Sequence, residues 1–194
     1  MAQPPSIKAT AFQPAADDLN RLIETGKLAR EEVEARLRVE DLRYLDKQLA
    51  ATTWIPIDSY RRVVEILIEI EAGGSSSEVY LHNRGVRAAQ RLHKAGLYRQ
   101  FEASSETWGN RVGKIAVTMA AVLYNFTKWS FELGHERGIF TITVDEAAEF
   151  PDVARYTAQG YIEYTSRIVS GGNERVTSER PSPGRVIFRG QRTK

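Results

Sequence analysis

The stretch KWSFELGHERGIFTITVD, residues 128–145, decides the fold class. Trp129, Phe131 and Leu133 alternate with Lys128, Ser130 and Glu132, and Phe140, Ile142 and Val144 alternate with Ile139, Thr141 and Thr143. A period of two marks a half-buried strand, because successive side chains leave opposite faces. Gly134 to Gly138 joins the two runs, so the stretch reads as a β-hairpin. His135 stands at its tip beside Glu136 and Arg137. A general base needs a cleft and an orienting partner, which an exposed turn does not supply. The hairpin therefore reads as part of a sheet and not as a catalytic tip.

Upstream of it the period is helical. Between Asp17 and Ala51 there are two stripes, Leu19/Leu22/Ile23 and Leu42/Leu45/Leu49, separated by REEVEARLRVED, which reads as solvated surface. Pro56 stops that region and Asp58 caps the next helix, where Tyr60, Val63, Val64, Leu67 and Ile68 follow the spacing of a buried face. A helix is expected from about Glu78 to Lys94, ended by Gly96, and a longer one from about Glu106 to Phe126. Downstream, Pro151 opens a helix ended by the glycines at 171–172, and two strands follow near 174–178 and 185–189. The fold class is α+β: a helical N-terminal two-thirds packed on a small antiparallel sheet made by two C-terminal strand pairs flanking a helix. Residues 128–133, 139–144, 174–178 and 185–189 are expected in one sheet, with the helices of residues 58–126 covering one face. Pro4, Pro5 and Pro14 mark residues 1–15 as a flexible arm, although Ile7–Phe12 has the makings of a short strand; residues 16–194 read as a single domain.

Composition removes several functions. The 194 residues carry 27 basic and 25 acidic side chains, a net charge of +2, so no strong field points to nucleic acid or a membrane. There is no cysteine, which removes disulfides, thiolate metal sites and cysteine nucleophiles. The first residues do not form a secretory signal and no apolar run reaches the ~20 residues of a transmembrane helix. A cytoplasmic protein is expected.

Candidate sites are few. His82 and His93 fall on one helical stripe with Val86 and Ala89, yet eleven residues of ~1.5 Å rise set them ~16 Å apart, too far to share one metal. They read as histidines packed into an apolar face. A ligand pocket, if present, would be lined by His82, Val86 and His93 with Trp108, Val112 and Met119 of the following helix. Arg84, Arg87, Arg91 and Lys94 form a basic patch on the opposite face, without interleaved aromatics for base stacking. Gly109, Gly113, Ala116 and Ala120 make a stripe of small residues that permits close approach of another backbone. No catalytic template is present: there is no GxGxxG, Walker loop, GxSxG or HExxH. No catalytic residue, metal ligand or cofactor is assigned.

The segments TTWIPIDSYRRVVEIL, RGVRAAQRLHKAGLYRQF and WSFELGHERGIFTITVDEAAEFPD, with the closing GYIEYTSRIVSGG, resemble a family of roughly 200-residue proteins of myxobacteria and related deltaproteobacteria. That family is similar to the 4-vinyl-reductase type of small-molecule-binding domain, in a superfamily with haem-based nitric-oxide sensors and TRAPP vesicle-tethering subunits. The resemblance covers about residues 40–190 and rests on a Trp-x-Pro-x-x-x-Tyr entry (Trp54, Pro56, Tyr60) and a Gly-x-Tyr (Gly96, Tyr98). It implies a helical layer on a twisted antiparallel sheet, dimerisation through helices and an apolar pocket between layers. The C-terminal cysteines frequent in the vinyl-reductase branch are missing here, and no histidine matches a haem-sensor motif.

The expected function is a non-enzymatic small-molecule-binding or protein-interaction module, acting as a sensor or adaptor. The alternatives are an enzyme on a hydrophobic substrate and a basic-patch module for nucleic acid or anionic lipid. A homodimer is expected, with the 106–126 helix or its neighbour at 60–70 at the interface; a hydrophobic small molecule or a protein is the expected partner, and nucleic acid is not.

Overall fold

The N-terminal prolines do not leave a loose arm. In the computed structural model, which describes residues 3–96, 108–135 and 139–192, strand β1 (Ser6–Lys8) leads directly into helix α1 (Ala9–Glu24). Pro14 lies inside α1 and deprives it of one N–H, at a cost of ~3 kcal/mol. Burial of Phe12, Ala15, Ala16, Leu19 and Leu22 on one face offsets this. β1 pairs with β2 (Trp54–Pro56), a partner distant in sequence, so local proline content is outweighed by a long-range ladder in which Ile7 faces Ile55.

The described residues group into two compact units, residues 1–75 with 122–126, and 76–121 with 127–194. In the first, α2 (Arg30–Arg36), α3 (Val39–Leu45) and α4 (Ile57–Glu71) join α1 around Val33, Val63, Val64 and Leu67. Asn125 ties β1 down, accepting from the Ser6 amide at 2.7 Å and donating to the Pro4 carbonyl at 3.1 Å. The charged run 30–41 is not wholly surface. Asp41 is fully buried and takes two bonds from Arg62, at 2.7 and 2.8 Å, besides capping the Arg38 amide at 3.0 Å. Burial alone would raise its carboxyl; the Arg62 guanidinium and the Arg38 amide hold it below its ordinary value.

The second unit holds α5 (Ser77–Lys94), most of α6 (Trp108–Leu123), β3 (Lys128–Leu133), β4 (Phe140–Asp145), α7 (Asp152–Ser170), β5 (Glu174–Ser182) and β6 (Arg185–Arg192). The expected strands form one antiparallel sheet in the order β3-β4-β6-β5, which establishes the α+β class. The centre of its apolar face is closed: Phe140, Ile142, Val144, Val186 and Phe188 expose nothing. Trp129 stacks on Phe188 at 5.7 Å and Phe131 on Phe140 at 5.8 Å. Within this unit α7 lies along β5, and Gly113 of α6 receives the Phe131 ring; a Cβ there would meet it at 2.2 Å. The small-residue stripe thus accommodates a side chain of the same chain. Ala116 and Ala120 are 5% exposed and Ile66 2%, so the helix faces expected at a dimer interface are covered within the chain, leaving Ile70 and Val122 outside. Tyr98 of the Gly-x-Tyr motif and residues 136–138 of the hairpin lie outside the described residues.

Candidate functional site

Helix α7 carries polar side chains at every fourth position: Arg155, Gln159, Glu163 and Arg167. On a helix these stand in one row, ~6 Å apart. Along a strand, every second residue turns its backbone the same way, ~6.7 Å apart. The two spacings are similar enough for the row to reach the backbone groups of one strand edge. Running antiparallel to β5, Arg167 Nε donates to the Glu174 carbonyl at 2.8 Å, and Glu163 Oε2 accepts from the Val176 amide at 2.9 Å. Gln159 Nε2 donates to the Val176 carbonyl at 2.9 Å, and Arg155 reaches the Ser178 carbonyl at 3.5 Å. Three helix steps (~18 Å) face the two strand steps from Glu174 to Ser178 (~13 Å), so Glu163 and Gln159 share Val176 and the longest bond, from Arg155, falls at the far end.

Glu163 is the centre of this row. It is 6% exposed, and its second oxygen takes Arg167 at 2.8 Å and the His82 Nε2 of α5 at 3.3 Å. Burial alone would raise its carboxyl. The bonds from His82 and the Val176 amide, with the charge of Arg167, hold it below the ordinary value. The helices that carry the pair touch backbone to backbone: a Cβ on Gly85 would lie 1.9 Å from the Thr157 carbonyl, and one on Gly160 1.9 Å from that of His82. Further along, His93 Nδ1 lies 3.3 Å from the Tyr164 hydroxyl. An imidazole beside a carboxylate is the base-and-orienter half of a catalytic arrangement. Here the same carboxylate is spent on a backbone amide and an arginine, which is how a structural tie is built. Among the described residues no three His, Asp or Glu side chains gather to hold a metal ion.

No protein-family model and no curated protein matches the sequence. Solved structures do, across nearly the whole chain. An iron(II), unliganded H-NOX protein variant from K. algicida matches 97% of this chain and 97% of its own at a TM-score of 0.66 and 11% identity. An oxygen-binding H-NOX domain related to soluble guanylate cyclases, in its oxygen complex, matches 97% and 96% at 0.57 and 13%. A structure determined to probe heme distortion in the H-NOX family matches 95% and 95% at 0.54 and 11%. The chain has the H-NOX fold. The sequence resemblance and these neighbours agree in fold.

Within this H-NOX fold the sequence-derived residues separate. His82, Val86 and His93 are half-buried on α5, and both histidines find their partners on α7. On α6, Val112 is fully buried and Met119 half-buried, while the side chain of Trp108 lies outside the described residues. Of the basic patch, Arg87, Arg91 and Lys94 face solvent. Arg84 does not: it is 9% exposed and turned onto Tyr80, whose hydroxyl it meets at 3.1 Å, so the patch has three cations and not four. Sequence reading passed over Glu163 and its row. Four polar residues at a spacing of four were visible, but a solvated helix face carries the same signal.

Proposed function

We propose that the chain is a non-enzymatic sensor or adaptor module of H-NOX fold that recognises an apolar small molecule or a protein partner and works without haem. The observation that carries this reading is the engagement of its histidines. An axial haem ligand is an imidazole, thiolate, thioether or phenolate directed at the iron. The chain has no cysteine. The imidazoles of His82 and His93 are turned to Glu163 and Tyr164, in a seam where Gly85 and Gly160 bring two helix backbones into contact and leave no width for a macrocycle. His135 stands exposed on the hairpin turn. The Tyr124 phenol is pushed far up by burial, the opposite of a phenolate ligand. The histidines of the described residues do not present an axial ligand for haem, whatever the H-NOX neighbours bind.

On this reading residues 16–194 act as one functional domain in the cytoplasm, akin to the 4-vinyl-reductase branch, and self-associate as a homodimer. His82, Val86, His93, Trp108, Val112 and Met119 remain the proposed lining of a ligand pocket. Arg91 and Lys94 are proposed as surface charge that complements the C-terminal end of α5, with Arg87 as solvated surface charge. The His82–Glu163 pair supports a second reading, an enzyme on a hydrophobic substrate; the use of the same carboxylate on Val176 and Arg167 weighs against it.

Titration of the full-length protein with haemin, followed by absorption spectroscopy and native mass spectrometry, tests the proposal. The expected result is no one-to-one haem complex, and retention of an apolar small molecule or a protein partner when the protein is isolated from its native host. Stoichiometric haem with a Soret band that shifts in His82→Ala or His93→Ala would overturn it.

A further inference from the structure

Glu174 opens β5 with a side chain that is 1% exposed. Its Oε2 accepts from the Ser170 hydroxyl at 2.7 Å. Its Oε1 is buried and meets no hydrogen-bond donor among the described residues. Nor does a described cation pair with the carboxylate. Arg167 donates Nε to the backbone carbonyl of Glu174 and turns Nη2 to Glu163. Arg192, directly across from Glu174 on β6, is exposed. A carboxylate with one hydroxyl bond and no counter-charge leaves much of its desolvation uncompensated. Its place in the fold adds to the cost. Helix α7 ends at Ser170, and a helix carries the negative end of its dipole at the C-terminus. Burial and dipole together call for a positive charge at Oε1.

The turn after α7 is shaped for one. Gly171 caps the helix in the left-handed region, at φ 63°, and Gly172 follows it. A Cβ on Gly172 would lie 2.5 Å from Glu174 Oε1 and 3.0 Å from Ser170 Oγ. Two oxygens therefore converge on a position that no side chain fills. Ser170 Oγ donates to Glu174 Oε2 and accepts from the Gly172 amide at 2.9 Å, which leaves it one lone pair. The last four carbonyls of a helix lack intrahelical donors, and the Gly171 amide takes only that of Arg167, so the same turn offers further oxygens. No imidazole or sulfur belongs to residues 167–174. Donors of this kind suit a hard cation, and a single carboxylate suits weak, exchangeable binding. Gly171 and Asn173 are exposed, so solvent begins one residue from the site.

We propose that Glu174, Ser170 and Gly172 form a site for a small hard cation at the C-terminal end of α7. The inference does not depend on what the module senses. Thermal unfolding of the full chain tests it, first in tetramethylammonium chloride and then with potassium, sodium, magnesium or calcium chloride at equal ionic strength. At least one of the four is expected to raise the wild-type midpoint saturably, by about 5 °C or more at a hundred-fold excess over Kd. Glu174→Gln is expected to match or exceed wild-type stability in tetramethylammonium, because it removes the uncompensated charge, and to lose the cation response. Gly172→Ala is expected to fold, because its φ lies outside the left-handed region and only two side-chain ends stand in the way of its Cβ. It should need about ten-fold more cation for the same rise. A wild type indifferent to all four cations, a response that survives Glu174→Gln, or a Glu174→Gln variant well below wild type in tetramethylammonium would each overturn the proposal. Arg192→Gln supplies the rival outcome. Cations without effect, together with a lower midpoint in that variant, would give the carboxylate to its cross-strand arginine and refute the site.

Discussion

Replacing Glu163 by glutamine tests how α7 is tied to β5 and α5. The substitution keeps the shape and removes the charge. Of the three bonds the carboxylate accepts, the amide carbonyl retains the buried one from Val176, so the NH₂ must face Arg167 and His82. The Arg167 side chain is 43% exposed and swings into water at little cost, so its contribution is discounted to about 0.5 kcal/mol. The charge-assisted bond to His82, which is 24% exposed, adds about 1–2 kcal/mol. The expected loss at pH 7 is therefore about 1.5–2.5 kcal/mol, read as a lower urea midpoint at unchanged slope. Glu163→Ala also strands the Val176 N–H and is expected to cost about 1–3 kcal/mol more, with faster exchange of that amide. The pH dependence has a fixed sign. The folded carboxyl lies below its unfolded value, so its contribution is fully present above the unfolded carboxylate range near ~4.3 and fades as pH falls through the folded value. The gap between wild type and Glu163→Gln should close on acidification through that range. A glutamine variant within ~0.5 kcal/mol of wild type at pH 7, or a gap that persists undiminished to about pH 3, would refute the argument.

Two further outcomes follow from the packing. Gly160→Ala gains ~1 kcal/mol of helix propensity, but its Cβ would lie 1.9 Å from the His82 carbonyl, so the net effect is a destabilisation of about 1–3 kcal/mol. A thermal scan showing an unchanged or higher midpoint would disprove that backbone contact. Asp41→Asn breaks the pair between fully buried Asp41 and largely buried Arg62 and is expected to cost about 3 kcal/mol. That loss is present at neutral pH and shrinks below about pH 4, because the folded Asp41 carboxyl is held low; equal stability of the two proteins at pH 7 in urea titrations would rule it out.

The parts of the fold that were legible are those in which one face of an element decides its period. Phe140, Ile142 and Val144 need a dry side, and so do Tyr60, Val63, Val64 and Leu67; both sets sit where the pattern placed them. The N-terminal segment was misread because its structure depends on Ile55, a partner that no local pattern names. Asp41 was read as surface because a buried carboxylate differs from a solvated one only by the arginine that reaches it, here Arg62, twenty-one positions on. The α7 row was illegible for a related reason. Arg155 and Glu163 are 8% and 6% exposed, but what buries them is the edge of a strand, and a strand edge leaves no trace in the helix sequence beyond polarity.

That row has a consequence for assembly. In the language of polymer chemistry, a folded sheet with two bare margins is a bifunctional monomer, and nothing in its own geometry limits the length of the product. With the Glu174–Ser178 margin occupied by α7, that end of the sheet is closed to addition. Glu163 and its neighbours therefore serve as a chain terminator at this margin, and stripping the row would leave the β5 edge open to strand addition.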